Sequence, residues 1–454
     1  MRRGVPAVAV LLALAAASGG RSAYQRSSPA PTPAVVLEPN LLRNTLGTTL
    51  NWVDDGDGLG LSRPAGAPMP ADWAIRNLGY HVVRVPGGYL ARRFDWAGAV
   101  SPDRPMQRDF AGHLQAVLTG LPEFKRFAAR FGISVMYTLN LDDPPERVAA
   151  LIRTWDSLPP QGQSPIEWVE LGNEEYDRGP TAAAAAAYVT RALPVARAIR
   201  AAAPTIRIAG ILDDPVNAAW DSIVVTGLGA SVDFLVWHRY VPSLPHDSSE
   251  YVTTREAFAR ADSETGMWST APWLRGREIW LNEYNISYKV GSTHQNLSPE
   301  PRTSLLLGDF VALAVLRRMG GLMKCCLANP QWHLYADVNF SGSAQPQLTN
   351  GGVVQTLLNR WIEAQDSIGL WVPEGSPWWR RSVLVGRGRA GTSLLVQNHD
   401  SIPFALPAAL IGTRAPDSVT GLRGHGPQMW TVRGVPSAPW TADPYTVVIY
   451  HLPS

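Results

Sequence analysis

The chain has 454 residues, of which 45% are hydrophobic and 17% charged, so it can build a packed core and is not wholly disordered. Its formal net charge is only +2, and its basic residues are scattered, which excludes the strong positive field of a nucleic-acid-binding protein. Its 17 tryptophans suit both a hydrophobic core and stacking on sugar rings.

The first residues have the pattern of a secretory signal. Arg2 and Arg3 precede a short apolar run at 5–17, and small residues follow it. That run is shorter than the roughly 20 residues that span a membrane, and no other stretch approaches this length. We therefore predict a signal peptide over 1–23 and a secreted or periplasmic protein, with an uncleaved anchor as the alternative. Residues 24–40 are predicted to be a Ser/Pro linker.

Short apolar runs then alternate with helix-length segments. The predicted strands are Leu46–Trp52, Val82–Val85, Ser134–Leu139, Ile166–Leu171, Ile206–Ile211, Phe234–Trp237, Glu278–Leu281 and Leu322–Leu327. The predicted helices are Gly120–Phe131, Pro145–Asp156, Thr181–Ala203 and Thr303–Met319. This alternation predicts an α/β fold, a (β/α)8 TIM barrel over residues 41–362. A doubly wound sheet is the competing arrangement.

The pattern changes near the C-terminus. From Ser382 onward, alternating apolar and polar residues are separated by Gly, Pro and Asn turns, which predicts a small antiparallel β-sandwich over 363–454. Gly386, Gly388 and Gly391 match a GxGxxG motif by letter. The segment leads into a strand rather than a helix, however, and therefore indicates a hairpin turn. Because no long linker precedes Ser382, we expect this domain to pack against the barrel.

Two acidic residues follow predicted barrel strands at the strand ends. Glu174 lies just beyond strand 166–171, and Glu283 lies just beyond strand 278–281. The carboxyl ends of barrel strands meet at one mouth, so these two side chains can converge there. Two carboxylates, one protonated and one ionised, perform glycoside hydrolysis. We interpret Glu175 as a solvated or salt-bridged residue and Glu170 as the partner of an arginine.

The pair resembles the signature of clan A glycoside hydrolases, and within that clan the chain resembles the α-L-arabinofuranosidases of glycoside hydrolase family 51. The supporting stretches are Val83–Gly88, Phe94–Trp96 with Pro102–Pro105, Gly120–Phe124 with Gly132 and Asn140, and Asp233–Tyr240. The likeness covers residues 41–362. The chain departs from the family at Asn282–Asn285, where Asp-Glu-Trp-Asn is usual, and at Ala328–Trp332, where Ala-Asn-x-x-Gln is usual.

The resemblance also implies roles for individual residues. Glu174 would be the acid/base and Glu283 the nucleophile, with Arg84 and Tyr240 donating hydrogen bonds to Glu283. The remaining residues implied to bind substrate are Asn140, Asn173 (to the sugar 2-hydroxyl), His238, and the stacking candidates Trp96, Trp237 and Trp332. Core packing is the alternative role for each tryptophan, and a structural role is the alternative for His238. We expect no metal and no cofactor, because the carboxylate pair suffices for the chemistry.

The implied protein is a secreted, retaining, exo-acting α-L-arabinofuranosidase that acts on plant hemicellulose or its oligosaccharides. A β-glucuronidase or heparanase-like enzyme, or a β-xylosidase, is an alternative within the clan. Arg92, Arg93 and Lys289 are candidate partners for a uronate carboxylate. A non-catalytic carbohydrate-binding barrel is the alternative from another class. The expected partner is an oligosaccharide or polysaccharide, not nucleic acid, and the oligomeric state is left open.

Overall fold

The computed structural model of the protein describes residues 35–50, 70–101, 103–108, 114–115, 117, 120–243, 250–288, 301–325, 327, 337–339, 347–411, 416–424, 426–433 and 440–452. The predicted signal peptide, most of the predicted linker, Lys289 and Trp332 lie outside these residues. Everything described belongs to one compact unit that starts at Val35. Within these ranges, no helix is both long and apolar enough to cross a membrane.

Strands and short helical segments alternate along the chain. The strands are β1 (Glu38–Pro39), β2 (Leu46–Thr49), β3 (Val82–Val85), β4 (Gln107–Arg108), β5 (Leu114–Gln115), β6 (Ser134–Thr138), β7 (Ile166–Glu170), β8 (Arg207–Ile211), β9 (Phe234–Ser243), β10 (Glu278–Tyr288), β11 (Gly321–Lys324), β12 (Val338–Asn339), β13 (Gln347–Leu348), β14 (Ser367–Trp371), β15 (Arg381–Gly388), β16 (Gly391–Asn398), β17 (Phe404–Ala405), β18 (Ser418–Arg423), β19 (Gly426–Arg433), β20 (Thr441–Ala442) and β21 (Thr446–Leu452). The α-helices are α1 (Pro70–Leu78), α2 (Leu121–Phe131), α3 (Pro145–Ser157), α4 (Ala182–Ala202), α5 (Ala218–Leu228), α6 (Glu250–Gly266), α7 (Pro301–Leu305), α8 (Leu307–Leu316), α9 (Asn350–Glu363) and α10 (Ala408–Ile411).

Eight parallel strands close into the predicted barrel. Their order is β2, β3, β6, β7, β8, β9, β10 and β11, so neighbours in sequence are neighbours in space. The strands are nearly continuous apolar runs because one face meets the barrel interior and the other meets the helices. The (β/α)8 prediction is therefore confirmed, and the doubly wound alternative is excluded.

Aromatic side chains fill the interior of the barrel below its mouth. The rings of Trp168 and Trp280 lie 5.4 Å apart between centroids, and those of Phe234 and Trp280 lie 4.6 Å apart. Gly321 makes room for this cluster, because a Cβ atom there would collide with the Trp280 ring. At this level the interior of the barrel is thus a packed core, and the mouth lies above it.

A bulge in β10 directs the residue that follows it. Leu281 pairs with Trp237 and Glu283 pairs with His238, so Asn282 is an extra residue on the β10 side of the ladder. Such an insertion changes the direction in which the following side chain points. Glu283 therefore lies on the same side of the sheet as His238.

The C-terminal residues form the predicted antiparallel domain. Its main sheet has the order β1, β14, β15, β16, β21, β18 and β19, and β17 pairs with β20 in a small second sheet. One set of alternating side chains packs into the barrel's core: Leu384, Leu395, Leu422, Val447 and Ile449. The opposite set packs with the small sheet: Val383, Val385, Leu394, Val396, Val448, Phe404 and Trp440. This two-faced packing confirms the β-sandwich prediction.

The first described strand, β1, belongs to this C-terminal sheet. Glu38 in β1 pairs with Ile368 in β14, so the last residues of the predicted 24–40 linker extend the sheet. The letter match to GxGxxG is a hairpin, as predicted, because β15 ends at Gly388 and β16 begins at Gly391. Buried polar contacts also join the barrel and the sheet, including His399 Nε2 with Asp309 Oδ1 at 3.1 Å.

Candidate active site

The carboxyl ends of four barrel strands bring together a cluster of buried charged groups. Arg84 comes from β3, Glu170 from β7, His238 from β9 and Glu283 from β10, and all four are at least nine-tenths buried. Glu174 lies four residues beyond Glu170, in the loop after β7. The structure thus brings both predicted carboxylates to one mouth of the barrel.

Glu283 is held by a cation and a phenol. Arg84 Nη1 donates a hydrogen bond to its Oε1, and the Tyr240 hydroxyl donates one to its Oε2. The side chain of Glu283 is only 4% exposed. Because both oxygens accept hydrogen bonds, the orientation of the carboxyl group is fixed. These are the contacts that the family resemblance implies for a nucleophile.

Glu174 lies in a turn with unusual backbone geometry. Its φ and ψ are both 44°, in the left-handed region that residues other than glycine seldom adopt. Arg92 stabilises this turn by donating to the carbonyl oxygens of Asn173, at 2.8 Å, and of Glu174. Such backbone strain persists only where the surroundings enforce it, and it often marks a functional site.

The side chain of Glu174 has neutral donors and partial access to solvent. The hydroxyl of Tyr176 lies 3.3 Å from Oε1, and the amide nitrogen of Asn173 lies 3.4 Å from Oε2. The side chain is 14% exposed, in contrast to Glu283. The other end of the Asn173 amide, Oδ1, accepts a hydrogen bond from Arg84 at 2.7 Å. Asn173 therefore connects the surroundings of the two carboxylates.

His238 lies between the two carboxylates. Its Nδ1 is 3.0 Å from Glu174 Oε1 and 3.5 Å from Glu283 Oε2, and its Nε2 is 3.4 Å from Glu170 Oε1. Burial alone lowers the pKa of His238, but the carboxylates of Glu283, Glu170 and Glu174 outweigh it and raise the pKa to about 10. The imidazole is therefore protonated at neutral pH, with both N–H groups available to carboxylates.

Glu170 is the buried counterion of this network, which confirms that it pairs with an arginine. Its Oε2 accepts hydrogen bonds from Arg84 Nε at 2.6 Å and from Thr138 Oγ1 at 2.9 Å. Burial raises the pKa of Glu170, but Arg84 and His238 dominate and lower it to about 2. Glu170 is thus a permanent negative charge at neutral pH.

Within the described residues, the only His, Cys, Asp and Glu ligand atoms that converge as a possible metal site are those of Glu174, His238 and Glu283, which all lie within 4.8 Å of one another. A metal ligand must be a deprotonated nitrogen or a free carboxylate oxygen. Because Arg84 and Tyr240 already donate to both oxygens of Glu283, the donor set fits proton transfer better than metal binding.

Three of the remaining predicted residues lie in different surroundings. Trp237 is fully buried and packs edge-on against Trp268 at 5.0 Å, so it has the position of a core residue, with no face open to a sugar. Trp96 and Asn140 line the same small cavity beside the mouth, and Trp96 is 8% exposed. Asn140 Oδ1 accepts a hydrogen bond from the backbone N–H of Asp142 at 3.0 Å, which fixes the turn after β6.

Sequence reasoning did not assign Tyr176 to the site or Arg92 to the Glu174 turn. Tyr176 follows Glu174 by two residues, so its proximity in sequence was the available signal. The sequence makes Arg92 a candidate uronate ligand, but its guanidinium is bound to the two loop carbonyls. Glu175 forms ion pairs with Arg191 at 2.6 Å and Arg178 at 3.3 Å, which confirms its interpretation as a salt-bridged residue.

A (β/α)8 barrel joined to a β-sandwich is a fold that this chain shares with solved glycoside hydrolases. No family model matches the sequence. The structure is similar to a family 51 α-L-arabinofuranosidase from Bifidobacterium longum, with a TM-score of 0.70 and 16% identity over 93% of this chain and 97% of the other. A family 51 arabinofuranosidase from Xanthomonas axonopodis pv. citri also gives a TM-score of 0.70 and 16% identity, over 92% of this chain and 98% of the other.

Two further likenesses are more distant or more local. A 4-O-α-L-rhamnosyl-β-D-glucuronidase from Fusarium oxysporum has a TM-score of 0.60 and 14% identity over 93% of this chain and 99% of the other. An intracellular exo-α-(1→5)-L-arabinofuranosidase of Bifidobacterium longum is 31% identical over 70 residues, which are 15% of this chain and 12% of that relative. The resemblance to clan A and to family 51 is therefore confirmed at the level of the fold.

Proposed function

We propose that the protein is a retaining glycoside hydrolase with Glu283 as nucleophile and Glu174 as acid/base. The observation that carries this proposal is the spacing of the pair, since one carboxylate oxygen of each lies within 4.8 Å of the other. Retaining enzymes separate their carboxyl groups by about 5–5.5 Å, whereas inverting enzymes separate them by about 6.5–9.5 Å to admit a water molecule. The spacing therefore supports direct attack by one carboxylate.

In the first step, a Glu283 oxygen attacks the anomeric carbon while the bond to the leaving oxygen breaks. Glu174 gives its proton to that oxygen, so the products are a glycosyl ester of Glu283 and a free alcohol. Arg84 and Tyr240 donate hydrogen bonds to Glu283 and hold its side chain in place before attack. Glu174 has the more exposed position, which suits a group that must meet the leaving alcohol and then water.

In the second step, Glu174 accepts a proton from water, and the resulting hydroxide displaces Glu283 from the anomeric carbon. This step returns Glu174 to its acid form and Glu283 to its carboxylate. Two inversions at the same carbon retain the anomeric configuration. Protonated His238, within 3.5 Å of both carboxylates, offsets the concentration of negative charge at the mouth throughout the cycle.

We infer an α-L-arabinofuranosyl substrate, removed by exo action from plant hemicellulose or its oligosaccharides. The family resemblance in the sequence and the likeness to two family 51 arabinofuranosidases support this inference. Arg92, a candidate partner for a uronate carboxylate, already binds loop carbonyls and is less available to such a ligand. We also propose that the protein is exported, on the basis of the signal pattern in residues 1–23.

A panel of nitrophenyl glycosides tests the proposal. We expect release of nitrophenol from the α-L-arabinofuranoside, and NMR of the first product formed should show the retained anomer. The β-D-xyloside and β-D-glucuronide are the comparison substrates, and Glu283→Ala is the inactive control. Preference for the glucuronide would show that the substrate is a β-glucuronide instead of an arabinofuranoside. Failure to hydrolyse any of the glycosides would contradict the proposal that the protein is an enzyme. Cell fractionation with the first 23 residues present or deleted tests export.

A further inference from the structure

A groove at the opposite end of the barrel from the carboxylates is formed by α9 and the C-terminal sheet. It has a volume of about 530 Å³, within the range of small-ligand sites. Helix α9 follows the last barrel strand and runs antiparallel to it, as helices do in this fold. Arg360, in the last turn of α9, therefore lies near the amino-terminal end of the barrel, far from the mouth.

The hairpin between β15 and β16 forms one wall of this groove. Gly388 lies against the carbonyl of Ala364, and Gly386 lies against the side chain of Gln365, so closely that a Cβ atom on either glycine would collide. The glycines thus bring the hairpin into contact with the end of α9. Ala390 and Gly391 at the hairpin tip line the groove itself.

The floor of the groove is polar where a packed sheet face would be apolar. Ser393 in β16 pairs with His451 in β21, which pairs in turn with Ser418 in β18, so the three form one row across the sheet. They lie on the face that meets the barrel, where the next row, containing Leu395 and Ile449, belongs to the hydrophobic core. The side chains therefore change from apolar to hydrogen-bonding where the cavity opens.

The charges that line the groove cancel. Arg360 contributes one cation and Asp417 one anion, and both side chains are exposed. Burial lowers the pKa of His451, so its ring is neutral at neutral pH and can both donate and accept hydrogen bonds. A phosphate or an acidic peptide would need a net positive lining, which this groove does not have.

We propose that this groove is a second carbohydrate-binding site, which takes a segment of a neutral oligosaccharide. Its hydroxyl, imidazole and charged groups match sugar hydroxyls, and Ile449 and Leu357 offer apolar contacts to sugar C–H groups. The Trp361 indole donates a hydrogen bond to Ser393 Oγ at 2.9 Å, which fixes one wall to the floor. The choice of ligand rests on the proposed function, in which a polysaccharide is the substrate, and a segment bound here would hold the enzyme on the polymer.

Calorimetric titration with α-1,5-linked arabinotetraose and with xylotetraose tests the site. The background is Glu283→Ala, so that the ligand is not cleaved. Adding Arg360→Ala or Asp417→Ala should remove one binding site for the oligosaccharide, or weaken it about tenfold. Arg387→Ala is the matched control, because Arg387 is an exposed arginine of the same hairpin that does not line the groove. It should leave the titration unchanged.

Kinetics in the otherwise unmodified enzyme separate this inference from the proposed function. Arg360→Ala should raise KM for the polymer about three- to tenfold while the nitrophenyl glycoside reaction stays unchanged. If the protein is inactive on every glycoside but binds oligosaccharide in a way that depends on Arg360, the groove is a carbohydrate-binding site and the proposed activity is wrong. Oligosaccharide titrations that are identical with and without Arg360 and Asp417 would overturn the groove site and leave the catalytic proposal intact.

Discussion

The two sides of the barrel mouth hold carboxylates of the same chemistry in different surroundings. Glu283 extends from a barrel strand, is almost fully buried, and accepts hydrogen bonds from Arg84 and Tyr240. Glu174 extends from a strained loop turn, is more exposed, and has Tyr176 and Asn173 as its neutral donors. A rigidly held group suits nucleophilic attack, whereas a group with mixed donors and solvent access suits repeated proton transfer.

The largest effect is expected from Glu283→Ala. In the proposed mechanism the glycosyl ester forms on Glu283, so turnover of every substrate should fall by about 10⁵-fold. Added azide should occupy the vacated space and give a glycosyl azide of inverted configuration, measurable by NMR. A glycosyl azide of retained configuration would instead show that Glu174 is the nucleophile and Glu283 the acid/base. A melting temperature close to that of the parent protein would show that folding is intact.

Glu174→Ala should give a loss that depends on the leaving group. For substrates that need protonation, turnover should fall by about 10²–10⁴-fold, the usual contribution of a positioned acid. An aryl glycoside with an acidic phenol needs no proton, so its glycosyl-enzyme should accumulate and be detectable as a burst of phenol. Azide should then speed its breakdown with retention. Equal losses for all leaving groups would contradict the acid role.

Tyr240→Phe should lower turnover by about 10–100-fold with little change in stability, because its hydroxyl donates to the carboxylate whose charge changes during the reaction. Tyr284→Phe is the matched control. Its hydroxyl contacts Gln355 at 3.0 Å, away from the carboxylates, so turnover should be unaffected. Parallel measurements of kcat and thermal unfolding check the pair. If Tyr240→Phe has a lower melting temperature but keeps its turnover, the role of the phenol is structural only.

The smallest expected effect is a change in the pKa of His238 rather than a change in turnover. Glu170→Gln removes an anion 3.4 Å from His238 Nε2, so the pKa of His238 should fall from about 10 toward its ordinary value. Because the folded-state pKa is raised, the stability that protonated His238 contributes is complete below about pH 6.5 and is lost as pH rises toward 10. Glu170→Gln should weaken this decline.

Histidine NMR titration of Glu170→Gln measures the shift directly. Glu167→Gln is the control in the same strand, since Glu167 contacts Ser134 at 2.6 Å instead of the site. An unchanged His238 titration in Glu170→Gln would mean that Glu174 and Glu283 alone keep the ring protonated.

Much of the barrel was predictable from sequence because its strands are short apolar runs with clear limits. Val82–Val85 is β3 itself, and Ser134–Leu139 and Ile166–Leu171 exceed β6 and β7 by one residue each. Strands β9 and β10 are longer than predicted because they continue to pair with each other as far as Ser243 and Tyr288. Their ends contain polar residues, so hydrophobic periodicity could not include them.

The sequence predicted most of the residues that belong to the candidate site, but it did not predict most of the hydrogen bonds and ion pairs among them. Strand ends located Glu174 and Glu283, and the family resemblance supplied Arg84, His238 and Tyr240. The contacts of His238 with three carboxylates required the register of β7, β9 and β10, which depends on the bulge at Asn282. Helix α9, absent from the sequence prediction, forms the groove at the opposite end.

The place of β1 in the C-terminal sheet has a consequence for synthesis. Glu38 is translated hundreds of residues before Ile368, yet the two pair as neighbouring strands. Contacts between such distant positions form slowly, because the intervening chain must first be brought together. On the ribosome, β1 therefore stays without its partner until β14 emerges, and an unpaired strand edge of that kind can bind other chains. During that interval the nascent protein lacks the pairing of β1 with β14 that protects this edge in the folded sheet.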